Sequence, residues 1–202
     1  MQSSVLLHRD QAYYVIKENF YDLSNKDIHN ERGEVIGQLV TSITLLRTNI
    51  TVYGIDNEPL ILLNSRQFTL YPGYDIKDSN NLLLCRTKKT FLPFIQQKMW
   101  VENPSGHKIL SAEGSYADFD FSIIDDNNLL IARIRLSETL SEIFQQYSFD
   151  FSNTYTLSVI DLNYDRKIIL GLVVAICNII GTRRKAKRVV KTAPDYSYLP
   201  GH

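Results

Sequence analysis

Cysteine is scarce in this chain: Cys85 and Cys177 are the only two among 202 residues. Two widely separated thiols cannot build a framework of bridges, which fits a reducing compartment. Net charge is missing too. Lys plus Arg and Asp plus Glu number 22 each, so any attraction to nucleic acid or anionic lipid must come from a local patch. The N-terminal Met1-Gln2-Ser3-Ser4 shows no basic region followed by an apolar stretch, and Gln2 stands where myristoylation needs Gly. No prenylation box ends the chain, so neither a secretory signal nor a lipid anchor is expected. The apolar run at 168–180 falls short of the roughly 20 residues that a membrane-spanning helix needs.

Catalytic signatures are absent as well. There is no nucleophile elbow, no glycine-rich phosphate cradle and no dinucleotide fingerprint. Ser115 follows Gly114 inside a strand pattern and is not read as a nucleophile. His8, His29, His107 and His202 lack metal-ligand spacing. Asp118 and Asp120 share a strand face, and Asp125 and Asp126 sit in the next turn, where carboxylates are ordinarily solvated. No cofactor is expected, and the chain is read as non-enzymatic and cytoplasmic.

What the chain does contain is rhythm. Clusters of turn-forming residues centre on Gly33, Asn57, Asn80, Ser105 and Asn127, with successive gaps of 24, 23, 25 and 22 residues. Such residues tolerate left-handed backbone or bond their own main chain. β-Branched and aromatic stretches flank most of them, as in Ile50-Thr51-Val52-Tyr53 before the second and Leu60-Ile61-Leu62-Leu63 after it. Repeated strand–turn–strand units imply a meandering antiparallel sheet that closes into a barrel or folds into a sandwich. Ala132, Ile134 and Leu136 alternate with Arg133 and Arg135, which predicts one buried and one wet face.

The apolar run 168–180 breaks this rhythm. It has no polar face, so it must be buried all round or sit in lipid. Asp161, Asn163 and Asp165 before it suit a helix N-terminus. Gly181 after it, with Arg183, Arg184 and Lys185 beyond, suits a stop. A helix apolar on every side fits the interior of a wide barrel.

The order of these elements resembles the LURP-one-related family and its relatives, the phospholipid scramblases and the tubby C-terminal domain. The blocks that carry the likeness are Tyr14-Val15-Ile16-Lys17-Glu18-Asn19-Phe20, Asp27-Ile28 with Gly33, and Trp100-Val101. Gly114-Ser115-Tyr116, Asp120-Phe121-Ser122-Ile123 and Ile131-Ala132-Arg133-Ile134 follow, then Thr154-Tyr155-Thr156-Leu157-Ser158-Val159, Asp165 and the apolar helix. The resemblance implies a mostly β fold: a closed antiparallel barrel of about twelve strands, threaded by a buried hydrophobic C-terminal helix. The expected organisation is one barrel domain over 1–182, with its helix at about 164–180, and a basic, flexible tail over 183–202.

Two features remain as candidate sites. Arg183, Arg184, Lys185, Lys187 and Arg188, with Lys191, form the strongest charge cluster and suit anionic headgroups or phosphate. Asp161, Asn163 and Asp165 begin like a calcium loop, but Arg166 replaces the required Gly and Leu172 the required Glu. They are read as capping residues and only as weak metal candidates. Basic residues interleave with the aromatics only around Arg86-Thr87-Lys88-Lys89, which makes nucleic acid a disfavoured partner. The function expected is a binding or regulatory module acting at membrane surfaces through anionic lipid. The alternatives are an enzyme whose site is assembled across barrel loops, or a module for nucleic acid or a protein partner.

Overall fold

Five hairpins of one geometry organise the molecule, seen in a computed structural model that describes residues 4–18, 25–44, 47–66, 73–89, 99–115, 119–136 and 154–192. In each hairpin a residue at the end of one strand exchanges main-chain hydrogen bonds with residues three and four positions later. Asp78 and Leu82, and Asp125 and Leu129, are two such pairs, with Asn81 and Asn128 between them. The residue three positions after the one that opens the turn (Asn30, Gly54, Asp78, Asn103 or Asp125) has positive φ every time: Gly33 at 77°, Asn57 at 58°, Asn81 at 66°, Gly106 at 88° and Asn128 at 62°. That is the left-handed region where Gly and Asn meet least resistance. In four of the hairpins an Asx side chain also accepts main-chain N–H groups. Asp78 Oδ1 takes those of Asn80 and Leu82, and Asp125 Oδ1 those of Asn127 and Leu129, at 2.8–2.9 Å. Asn30 and Asn103 do the same. Each of these hairpins carries a register shift beside its turn, the bulge that lets a short turn match the twist of its strands.

These turns join twelve strands: β1 Tyr13–Glu18, β2 Asn25–His29, β3 Val35–Thr44, β4 Arg47–Gly54, β5 Pro59–Arg66 and β6 Gly73–Asp78. The second half comprises β7 Leu83–Lys89, β8 Met99–Glu102, β9 Lys108–Ser115, β10 Asp120–Asp125, β11 Leu130–Leu136 and β12 Thr154–Val159. Every neighbouring pair is antiparallel, and β12 returns to pair with β1, placing Tyr14 opposite Leu157. The sheet is therefore a closed barrel with no free edge. Because strands alternate in direction, all five tight turns lie at one end. Of the connections at the other end, only Phe119 lies within the described residues.

Period-two alternation sends Ile50, Val52, Ile61, Leu63, Ile76 and Val101 inward, each at most 2% exposed. Ala132 and Ile134 point inward as well, while Arg133 and Arg135 stay exposed, as the alternation predicts. Phe119 stacks on Tyr155 with ring centroids 4.4 Å apart, and meets Phe121 edge-on at 5.8 Å.

Down the middle runs α1, Arg166–Thr192. Its residues 169–177 are all buried, and it packs on β5, β6 and β7. At about 1.5–3 kcal/mol for each large aliphatic side chain removed from water, this stretch supplies a major part of the core. Gly171 marks the closest approach to the wall, since a Cβ there would lie 2.8 Å from Ile76 Cδ1 and Cγ2.

The helix does not end where expected. It passes Gly181 and continues to Thr192, so the backbone of 183–192 belongs to α1 rather than to a separate tail. A mid-helix Gly costs only about 1 kcal/mol relative to Ala. The Arg, Lys and Ala residues that follow favour helix, and Gly181 yields to them. Side chains from Ile180 onward, and all of 193–202, lie outside the described residues.

Candidate functional site

The helix enters the barrel at the tight-turn end, and its entrance is built from the residues singled out as caps. Asp161 Oδ1 accepts the Asn163 N–H at 2.9 Å, closing a small turn. Asp165 Oδ1 accepts the Lys167 N–H at 2.8 Å and caps the helix, satisfying one orphan donor and facing the positive end of the dipole. Both carboxylates thus serve the main chain. Among the described residues no group of three or more His, Cys, Asp or Glu could hold a metal ion.

Arg166 follows the cap and is only 3% exposed. Its guanidinium donates to four main-chain carbonyls: Arg9 at 2.7 Å, Tyr164 at 3.0 Å, Gln11 at 3.3 Å and Asp161 at 3.4 Å. Burying such a charge is costly unless its donors are met, and a fork of five N–H groups suits several carbonyls at once. The contact spans more than 150 residues of sequence and holds the N-terminal segment over the barrel mouth. Tyr14 reinforces it, its hydroxyl donating to the Leu6 carbonyl at 3.0 Å. Burial pushes that hydroxyl up to about 12, against a smaller opposing pull from Arg166.

Beside this clamp lies a cleft of about 340 Å³, lined by Leu7, Arg9, Asn163, Tyr164, Asp165, Arg166 and Lys167. Its lining includes no Ser, Cys or His, and the Arg166 guanidinium is committed to carbonyls. The arrangement ties the N-terminal segment to the start of the helix. Cys85 and Cys177 are buried and form no disulfide, and burial, with Asp165 adding, pushes the Cys85 thiol up to about 12. A thiol held protonated is a poor nucleophile.

The strip 86–89 is not an open cationic surface. Arg86 and Arg66 share Asp75, with Nε to Oδ1 distances of 3.5 and 3.6 Å. Lys88 Nζ lies 2.7 Å from Glu102 Oε2, and Trp100 Nε1 donates to Glu102 Oε1 at 2.9 Å. Burial alone would raise the Glu102 carboxyl; hydrogen bonds from Lys88 and Trp100 and the charges of Lys88 and Arg66 outweigh it and hold the carboxyl below its ordinary range. Thr87 points inward, its Oγ1 accepting the Tyr74 N–H at 2.8 Å. Cross-strand pairing therefore consumes charge that phosphate contacts would require. Asp120 is paired with Arg135 at 3.3 Å, and Asp118 falls outside the described residues.

A family model described as LURP-one-related matches residues 10–177. The chain belongs to the LURP-one-related family. The matched stretch runs from just before β1 to Cys177 near the end of the plug, so it stops short of the basic segment. Among solved structures, a protein from Arabidopsis thaliana is similar in fold, with a TM-score of 0.56 and 12% identity over 88% of this chain and 99% of that one. No curated protein matches the chain.

In this LURP-one-related barrel, Arg183, Arg184, Lys185, Lys187 and Arg188 share one continuous helix with the plug; their side chains lie outside the described residues. Asp161, Asn163 and Asp165 come together at the helix entrance. Arg166 was not singled out from sequence as a clamp. The local hint was a pair of cations, Arg166 and Lys167, ahead of a wholly apolar run.

Proposed function

We propose that this LURP-one-related barrel is a non-enzymatic binding module that works in the cytoplasm, peripherally at membranes, by engaging anionic lipid headgroups. The groups assigned to this contact are Arg183, Arg184, Lys185, Lys187 and Arg188, with Lys191 adjoining. The supporting observation is the continuity of α1: one helix plugs the barrel and then carries the densest basic segment of the chain. A rise of about 1.5 Å per residue puts the segment's far end roughly 20 Å beyond the plug, along an axis leading away from the tight-turn end. Each basic residue near an anionic surface contributes about 1 kcal/mol, falling off within a Debye length. Transfer of lipid across a bilayer is not proposed. Among the described residues no helix is long and apolar enough to cross a membrane, and the apolar stretch of α1 is enclosed by strands.

Co-sedimentation with phosphatidylserine-containing vesicles tests this reading. The full chain should pellet with anionic vesicles and stay in solution with phosphatidylcholine alone. Replacing Arg183, Arg184, Lys185, Lys187 and Arg188 by Gln, which preserves helix propensity, should remove the binding, and added salt should weaken it. Equal pelleting of parent and Gln variant would refute it.

A further inference from the structure

The tight-turn end has a surface character that hairpin geometry does not explain. Leu82 and Leu129 occupy the fourth position after their strands and are 65% and 62% exposed. The hairpin uses only main-chain groups of this residue, and Glu34, Glu58 and His107 make the equivalent main-chain bond in the three other hairpins. Leucine is therefore not required by the turn. Beside Leu129 lies the β12–α1 connection, held there by Ile160 and Asp161, whose N–H groups donate to the Ile131 carbonyl at 2.8 and 3.1 Å. This connection exposes Ile160 by 51% and Leu162 by 41%. Single exposed apolar residues are ordinary, but a contiguous group rimmed by polar residues marks an interaction surface.

The frame around these side chains is acidic. Asp125 and Asp126 lie in the same turn as Leu129, and Asp161 sits between Ile160 and Leu162. Across the turns, the N-terminal segment and the helix entrance, carboxylates outnumber cations about two to one. Arg166, one of those cations, is buried. An anionic membrane would be repelled by such a rim, whereas a cationic polypeptide would be steered toward it.

We infer that this end of the barrel, centred on Leu129, Ile160 and Leu162 within the rim of Asp125, Asp126 and Asp161, docks a basic, amphipathic segment of a protein partner. Apolar side chains of the partner seat on the leucine and isoleucine group, and its Lys or Arg residues meet the carboxylates. The site lies at the opposite end from the basic helix and does not depend on membrane binding. A failed vesicle experiment would leave it untouched.

The test uses the full chain and a labelled synthetic amphipathic peptide of leucine and lysine, followed by fluorescence anisotropy. The expected result is saturable binding that weakens with salt. Leu129→Ser with Leu162→Ser should weaken it about tenfold or more, and Asp126→Asn about threefold with a shallower salt dependence. These changes are at the surface, and an unchanged thermal midpoint would confirm that the variants fold. Unaltered peptide affinity in the double variant would overturn the inference, as would equal binding of a leucine–glutamate counterpart. Self-association of the chain that the double variant abolishes would reassign the surface to a second copy. Loss of anionic-vesicle binding in the double variant would reassign it to a membrane. Either result would overturn the assignment to a separate partner.

Discussion

Replacing Arg166 by Met removes a side chain that ties the N-terminal segment, the β12–α1 connection and the helix start together. Four carbonyls then lose a charged donor: those of Arg9, Gln11, Asp161 and Tyr164. Asp161 keeps one partner, because its carbonyl also accepts the Tyr164 N–H at 3.3 Å. A hydrogen bond from a charged donor contributes about 1.5–3 kcal/mol net. Relief from burying the guanidinium offsets part of the loss, as replacements of buried charges by apolar groups demonstrate. The expected destabilisation of Arg166→Met is therefore about 3 kcal/mol, well below the sum of the separate bonds. Arg166→Lys keeps the charge but cannot fork toward four carbonyls, and should lose about half as much. Urea unfolding should show a lower midpoint with unchanged slope. Hydrogen exchange should quicken at the amides of Leu7, His8 and Gln11, whose local bonds depend on the segment lying in place. If Arg166→Met stayed within about 1 kcal/mol of the parent and left those amides unchanged, the clamp would not exist as described.

Three further outcomes follow from the packing and the charges. Gly171→Ala sets a methyl group 2.8 Å from Ile76; overpacking of about 1–3 kcal/mol should exceed the roughly 1 kcal/mol helix-propensity gain, and a raised melting temperature would contradict this. The lowered Glu102 pKa adds stability that is fully present above its ordinary value of 4.5 and is lost as pH falls through the folded value. Glu102→Gln should thus flatten the dependence of stability on pH below that value, and an unchanged acid limb would count against the pairing. Cys85 and Cys177 are buried and should resist a soluble thiol reagent at pH 8 until the protein unfolds; rapid labelling of the native state would show the barrel to be open.

The parts of this structure that could be read from sequence are those whose causes are local. Asp78-Ser79-Asn80-Asn81 and Asp125-Asp126-Asn127-Asn128 announce their turns, because the Asx side chain and the left-handed Asn act within five residues. The markers Asn80, Ser105 and Asn127 fall one residue short of the positive-φ positions Asn81, Gly106 and Asn128, an offset that composition alone does not resolve. The plug was legible because uniform apolarity leaves a helix nowhere else to go. Its far boundary was not, since the modest penalty of Gly181 competes with the propensities of the residues beyond it. The pairing of Arg86 with Asp75 depends on strand register, and a bulge between Ile76 and Lys77 shifts that register. The Arg166 clamp joins positions more than 150 residues apart, and no local pattern encodes such a contact. Leu82 and Leu129 carry no local signal that sets them apart. They stand out only against Glu34, Glu58 and His107, which hold the equivalent place in the other hairpins.

The central claim is that α1 has two roles, a plug inside the barrel and a basic segment that meets anionic lipid. Hydrogen exchange of the full chain, with and without phosphatidylserine vesicles, tests both at once. Amides of 169–177 should be among the slowest in the protein and indifferent to vesicles, while those of 183–192 should exchange faster in solution and gain protection on binding. Fast exchange at 169–177 without vesicles, or vesicle-induced protection appearing there instead of at 183–192, would contradict the account.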